Sequence, residues 1–229
     1  MKHIVKGVEP AELRKWRLAN KRTPQNLRYA NIPKKALKEV RETLLKEQGY
    51  LCAYTMLRIG EPRKGHIEHI VAQSRDEEMQ VQFSNMVYCY PGEGEPRGVF
   101  GAHAKDGQDI TSDNFVSPLI STCESRFAYA KDGAVAATRA DDDVAQRTLA
   151  ILKLDSRELQ RARRAAILSL SIFNRSGLRV PARHAQREAA RLLIKDCEGK
   201  FREFAVALAQ VMTRYAKKKA AKEAALGLH

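Results

Sequence analysis

The chain has 229 residues, of which 44% are hydrophobic, enough for a real core in one large domain or in a small catalytic unit with helical additions. It carries 41 Lys and Arg against 27 Asp and Glu, a formal net charge of +14 that suits a phosphate backbone or an acidic protein surface as partner. No run approaches the roughly 20 apolar residues of a membrane span, and Met1-Lys2-His3-Ile4 lacks the apolar region of a secretory leader, so a cytoplasmic protein with no membrane partner is expected.

Pro10 suits the first turn of a short helix running to about Asn20, with Leu13, Trp16 and Leu18 facing inward. After a linker containing Pro and Asn, a second helix is expected from Lys34 to Gln48. It places Leu37, Val40 and Leu44 on one face and closes at Gly49. A strand near Tyr50 to Ala53, a turn with Gly60 and Pro62, and a strand from His66 to Ile70 follow. The stretch from Pro91 to Gly107 reads as a loop rich in Gly, Pro and Glu. Segments 126–129 and 134–137 flank Lys131-Asp132-Gly133, a hairpin turning at Asp-Gly. From Asp142 the pattern is helical, with Val144, Leu149 and Leu152 on one helix. Asp155 or Ser156 caps the next, which runs through Leu159 and Ile167 to about Phe173. Two more helices are expected, from Pro181 to Cys197 and from Lys200 to about Lys219, before a Lys/Ala tail.

Charge divides the chain the same way. Residues 1–47 hold 13 basic against 5 acidic side chains, residues 48–155 hold 11 against 16, and residues 156–229 hold 17 against 6. The expected organisation is therefore N-terminal basic helices over 1–48, a mildly acidic core with its hairpin over 49–140, and a basic helical region over 141–229. The fold class is α+β and mostly helical, a small α+β finger on a helical scaffold. Arg183, Arg187 and Arg191 repeat at helical spacing, as do Arg157, Arg161 and Arg164. Each series is either a solvated face or a contact with nucleic acid or a protein partner. Four unevenly spaced cysteines read as reduced thiols or remnants of a metal site, not a disulfide framework. Cys123 and Cys197 lie in apolar-looking segments and are expected in the core.

The chemistry concentrates in Gly65–Asn85, GHIEHIVAQSRDEEMQVQFSN. Glu68 stands directly before His69, and Asn85 follows sixteen residues later. A carboxylate can hold a divalent cation, a neutral imidazole can deprotonate water, and an amide can orient or ligate. His66 alternates onto the same strand face as Glu68, as a supporting partner or an alternative ligand. Asn85 could also simply cap a helix.

The order Cys52, Glu68-His69, Asn85, Cys89 and His103-Ala104-Lys105 resembles the HNH endonucleases with their ββα-metal finger. Within that superfamily it is most similar to the HNH proteins of Septu and retron anti-phage systems, the PtuB family. The likeness extends through Leu44-Leu45-Lys46-Glu47-Gln48-Gly49-Tyr50-Leu51-Cys52-Ala53-Tyr54 and Ser117-Pro118-Leu119 to Cys123-Glu124-Ser125-Arg126-Phe127-Ala128-Tyr129. It implies a phosphodiesterase using one Mg²⁺ or Mn²⁺ ion. Glu68 would be a metal ligand where most relatives have Asp or His, and His69 the general base. Asn85 would be a ligand or the clamp of the loop behind His69, His103 a further ligand on the finger's helix, and Lys105 a contact to the scissile phosphate. The implied partners are DNA, or a structured RNA, and an ABC/SMC-like ATPase of the PtuA type.

The chain departs from the family at its structural zinc. Thr55 and Gly101 stand where relatives complete two cysteine pairs, leaving Cys52 and Cys89, and two thiolates with a threonine cannot hold tetrahedral zinc. No structural zinc is expected. The rival expectation is a decayed finger that binds nucleic acid or assembles without cleaving.

Overall fold

The structure, a computed structural model, describes residues 1–92, 98–105, 108, 110, 111, 113–173 and 180–225. Within them the protein is α+β, with helices outweighing two small two-stranded antiparallel sheets. Helix α1 (Ala11–Ala19) follows Pro10 and packs on α2 (Lys34–Glu47). Leu13 is fully buried and Trp16 half-buried, but Leu18 is 62% exposed, because a helix this short buries only a narrow stripe. In α2 the buried stripe is Ala36, Val40, Leu44 and Leu45, with Leu37 half-buried beside it. The helix closes with two left-handed residues, Gly49 and Tyr50. A Cβ on Gly49 would lie 2.4 Å from the Phe201 ring, so glycine is needed there for space as well as conformation.

The strand expected at Tyr50–Ala53 does not form. Cys52 N–H donates to Leu57 O and Met56 N–H to Cys52 O, so the segment folds back on itself, leaving an isolated bridge between Leu51 and Arg58. The strand β1 (His66–His69) pairs instead with β2 (Met86–Cys89), antiparallel, with Ile67 opposite Tyr88 and Glu68 opposite Val87. β2 is buried along its whole length. Gln48, at the end of α2, satisfies its outer edge: the side-chain amide accepts from Tyr88 N–H at 2.7 Å and donates to Tyr88 O at 2.8 Å. That buried glutamine does for β2 what a third strand would do.

A four-residue helix, α3 (Ala102–Lys105), lies within the segment read as a loop; residues 93–97, 106 and 107 of that loop lie outside the described residues. It follows Gly101, whose N–H bonds Leu152 O in α4 (Asp143–Leu152). The second hairpin, β3 (Phe127–Tyr129) and β4 (Val135–Ala137), turns through Lys131-Asp132-Gly133 as expected. Helix α5 (Arg157–Leu168) is capped by Ser156 and ends earlier than expected, in a turn of 3₁₀ helix at Ser171–Phe173. Its Arg163 is fully buried, donating to Gly133 O and Leu154 O at 2.7 Å each, which ties helix to hairpin. Helix α6 (Ala182–Leu192) stops before Cys197, which is exposed rather than in the core; Cys123 is buried. Helix α7 (Ala205–Ala225) runs further into the Lys/Ala tail than expected. It holds β3 through Gln210, which accepts from Tyr129 N–H and donates to Phe127 O. A single apolar cluster extends from Met1 to Ala216, so all three segments of the charge division share one core.

Candidate active site

Strand β1, the loop that follows it and α3 border a cavity of about 360 Å³, lined among others by His66, Glu68, His69, Gln73, His103 and Lys105. Alternation along β1 buries Ile67 and His69 and leaves His66 and Glu68 half-buried on the other face. The adjacent pair Glu68-His69 therefore reaches the cavity from two sides of one strand.

His69 is 6% exposed and both of its ring nitrogens are occupied. Nε2 donates to the Gln80 carbonyl at 2.9 Å, and Nδ1 accepts from the Gln73 amide at 3.0 Å. The carbonyl fixes the tautomer, which leaves Nδ1 as the acceptor nitrogen, and the cavity-lining Gln73 amide occupies it. Tyr29 packs edge-on to the ring, 5.0 Å between centroids. Burial pushes the imidazole below its ordinary range. The bond to Gln80 partly offsets this, and the charge of Lys105 adds to it. Burial thus favours the neutral ring, the form a base needs.

Glu68 Oε1 is ion-paired with the Lys105 ammonium, and Lys105 Nζ also donates to His69 O at 2.5 Å. Lys105 is 8% exposed, with its side chain threaded under the strand rather than standing at the surface. His66 donates from Nδ1 to Pro91 O at 2.6 Å, which directs Nε2 toward Glu68 Oε2, 3.9 Å away. His103 stacks on His66 with ring centroids 5.2 Å apart, and its Nδ1 accepts from Gly98 N–H at 2.9 Å. One carboxylate, one imidazole nitrogen and one main-chain carbonyl so converge on the space beside Lys105. That donor set fits a hard divalent ion that keeps several of its waters. Among the described residues no three His, Cys, Asp or Glu side chains converge as a closed metal site.

Asn85 ends a turn of 3₁₀ helix and caps nothing. Its carbonyl oxygen accepts from Val71 N–H at 2.8 Å, and its amide donates to Val71 O at 3.0 Å and Met79 O at 3.1 Å. The side chain is spent on the loop carrying Gln73 and Gln80. These bonds hold that loop, and Asn85 is not among the residues lining the cavity.

The positions Cys52, Thr55, Cys89 and Gly101 do meet. Cys52 is hydrogen-bonded to Cys89 and Thr55 and accepts from Tyr90 N–H at 3.4 Å. A Cβ on Gly101 would lie 3.2 Å from the Thr55 methyl. Burial alone would raise the Cys52 thiol, but these bonds together draw it below its usual range, while burial and the shared bond push Cys89 up. Tyr54, two residues from Cys52, is fully buried and its hydroxyl has no hydrogen-bond partner among the described residues.

Arg183, Arg187 and Arg191 lie on the exposed face of α6, opposite buried Ala182, Ala185, Ala189 and Leu192, and none of them lines the cavity. Sequence reasoning missed Gln73, Gln80 and Tyr29, the three residues that hold His69. Only Gln73, four residues on, is close in sequence, and no pattern marks any of them. No family model matches this chain, and no curated protein matches it.

Proposed function

We propose that the protein is a metal-dependent phosphodiesterase of the HNH type, cleaving nucleic acid by attack of an activated water. The observation that carries this is His69: a buried imidazole that lines the same cavity as Glu68, with its tautomer fixed by Gln80 O and its Nδ1 held by the Gln73 amide. For His69 Nδ1 to take the proton from water, the Gln73 amide must yield its place to that water, and Glu68, with His66 Nε2 and His69 O beside it, would hold Mg²⁺ or Mn²⁺. Bound there, the ion would polarise the phosphate and stabilise the leaving oxygen. His103 keeps His66 in place by stacking. The order hairpin, then helix α3, and the meeting of Cys52, Thr55, Cys89 and Gly101 support the likeness to the ββα finger.

By the same likeness, DNA is the favoured substrate, with a structured RNA such as tRNA as the other. The setting is anti-phage defence beside an ABC/SMC-like ATPase of the PtuA type. Incubation of plasmid DNA and total RNA with the protein, Mg²⁺ or Mn²⁺, and that ATPase tests it. Cleavage that disappears on chelation supports the reading, and no cleavage of either substrate overturns it. The rival, a finger that binds or assembles without cleaving, draws on the ion pair that occupies Glu68 and on the two missing thiolates. It predicts nucleic-acid or ATPase binding that survives loss of His69 with no cleavage to lose.

A further inference from the structure

The Lys105 ammonium touches the two oxygens that a divalent ion would need first, Glu68 Oε1 and His69 O. An ammonium and a metal ion cannot share that space, since like charges at contact distance in a shielded cavity repel strongly. We propose that Lys105 is a built-in counter-cation for Glu68, and that a divalent ion enters the cavity only by displacing it. This deepens the metal-dependent reading above and rests on it.

A second observation points the same way. Tyr54 lies beneath Lys105, whose Nζ is 5.9 Å from its ring, and its fully buried hydroxyl has no partner among the described residues. Buried hydroxyls are nearly always satisfied, so a donor left idle under the Lys105 side chain marks an arrangement whose bonding is incomplete while Lys105 fills the space. The released ammonium, on a long stem anchored in α3, stays close enough to meet the phosphate that the ion brings in. One residue then neutralises Glu68 in the resting protein and contacts substrate in the loaded one. Until the ion arrives, the carboxylate is occupied.

The test is Mn²⁺ binding by calorimetry to the full chain and to Lys105→Met, which keeps the length and loses the charge. If Lys105 competes, the variant binds Mn²⁺ more tightly, by about 5–150-fold, the usual range of coupling between two ligands. Adding Glu68→Gln removes the gain. A residue that only props up the cavity would weaken binding or leave it alone when removed. Unchanged or weaker affinity in a folded Lys105→Met protein overturns the proposal, as does a gain that survives Glu68→Gln. Absence of Mn²⁺ binding by both folded proteins overturns the metal-dependent reading itself, and the displacement with it. Should Lys105→Met not fold, the wild-type chain answers by amine acylation read peptide by peptide. Mn²⁺ should raise labelling of Lys105 relative to exposed Lys15, and no rise overturns displacement.

Discussion

At the scale of the residue, His69 concentrates what is chemically distinctive. Replacing it with Ala should lower cleavage by about 10²–10⁴-fold, the usual contribution of a positioned base. The far-ultraviolet circular dichroism should be retained, because Tyr29 and the Gln73–Gln80 loop keep their other contacts. A folded His69→Ala protein that cleaves normally would remove His69 from the chemistry. The pH dependence follows from burial, which holds the folded imidazole below the ordinary 6.5. Between the lowered folded value and 6.5 the unfolded chain binds more protons, so stability is full above 6.5 and declines as pH falls through the folded value. The same sign moves the base's acid limb. In a pH profile of kcat/KM that limb should lie below 6.5, and a limb at or above 6.5 would contradict a buried, uncharged base. The thiols allow a separate check. With Thr55 and Gly101 in place of two thiolates, elemental analysis of the purified protein should find no stoichiometric zinc.

Among elements, the loop between β1 and β2 decides whether His69 is aimed. Asn85 bonds Val71 twice and Met79 once, while Gln80 accepts from Tyr29 N–H, so the loop is held at both ends. Asn85→Ala strands three main-chain groups in a part-buried place and should cost about 1–3 kcal/mol in denaturant unfolding. Asn85→Asp cannot donate to the two carbonyls and should cost a similar amount, whereas a pure metal ligand would tolerate Asp. The helices were legible in the sequence, because Pro10, Gly49 and Ser156 mark ends locally and apolar spacing marks the faces. The Asp-Gly hairpin was legible for the same reason. The partner of β1 was not. That choice depends on Gln48 sealing the edge of β2 and on the fold-back at Cys52–Leu57, contacts that no local pattern records. In the cavity, Glu68, His69 and His66 could be read because they are neighbours on one strand. The likeness implied a phosphate contact for Lys105, and its spacing says nothing of the ion pair with Glu68 into which α3 brings it.

For the whole molecule, the question is which basic surface does the placing. The acidic middle holds the cavity, while Arg183, Arg187 and Arg191 stand exposed on α6 with their helix buried on the other side. Since the core is continuous from Met1 to Ala216, α6 is fixed relative to the cavity by packing, and a ligand on it has a defined relation to Glu68 and His69. Changing all three arginines to Glu alters that face without touching the cavity or the buried stripe, so folding and Mn²⁺ affinity should be unchanged. If the stripe meets phosphates, affinity should fall alike for all nucleic-acid sequences. The dependence of log K on log salt should flatten by roughly one unit per lost contact. If it meets the ATPase, nucleic-acid binding should persist and co-purification should fail. Normal binding, normal salt slope and normal co-purification together would assign the stripe to solvent, leaving the basic helices at the N-terminus to place the substrate.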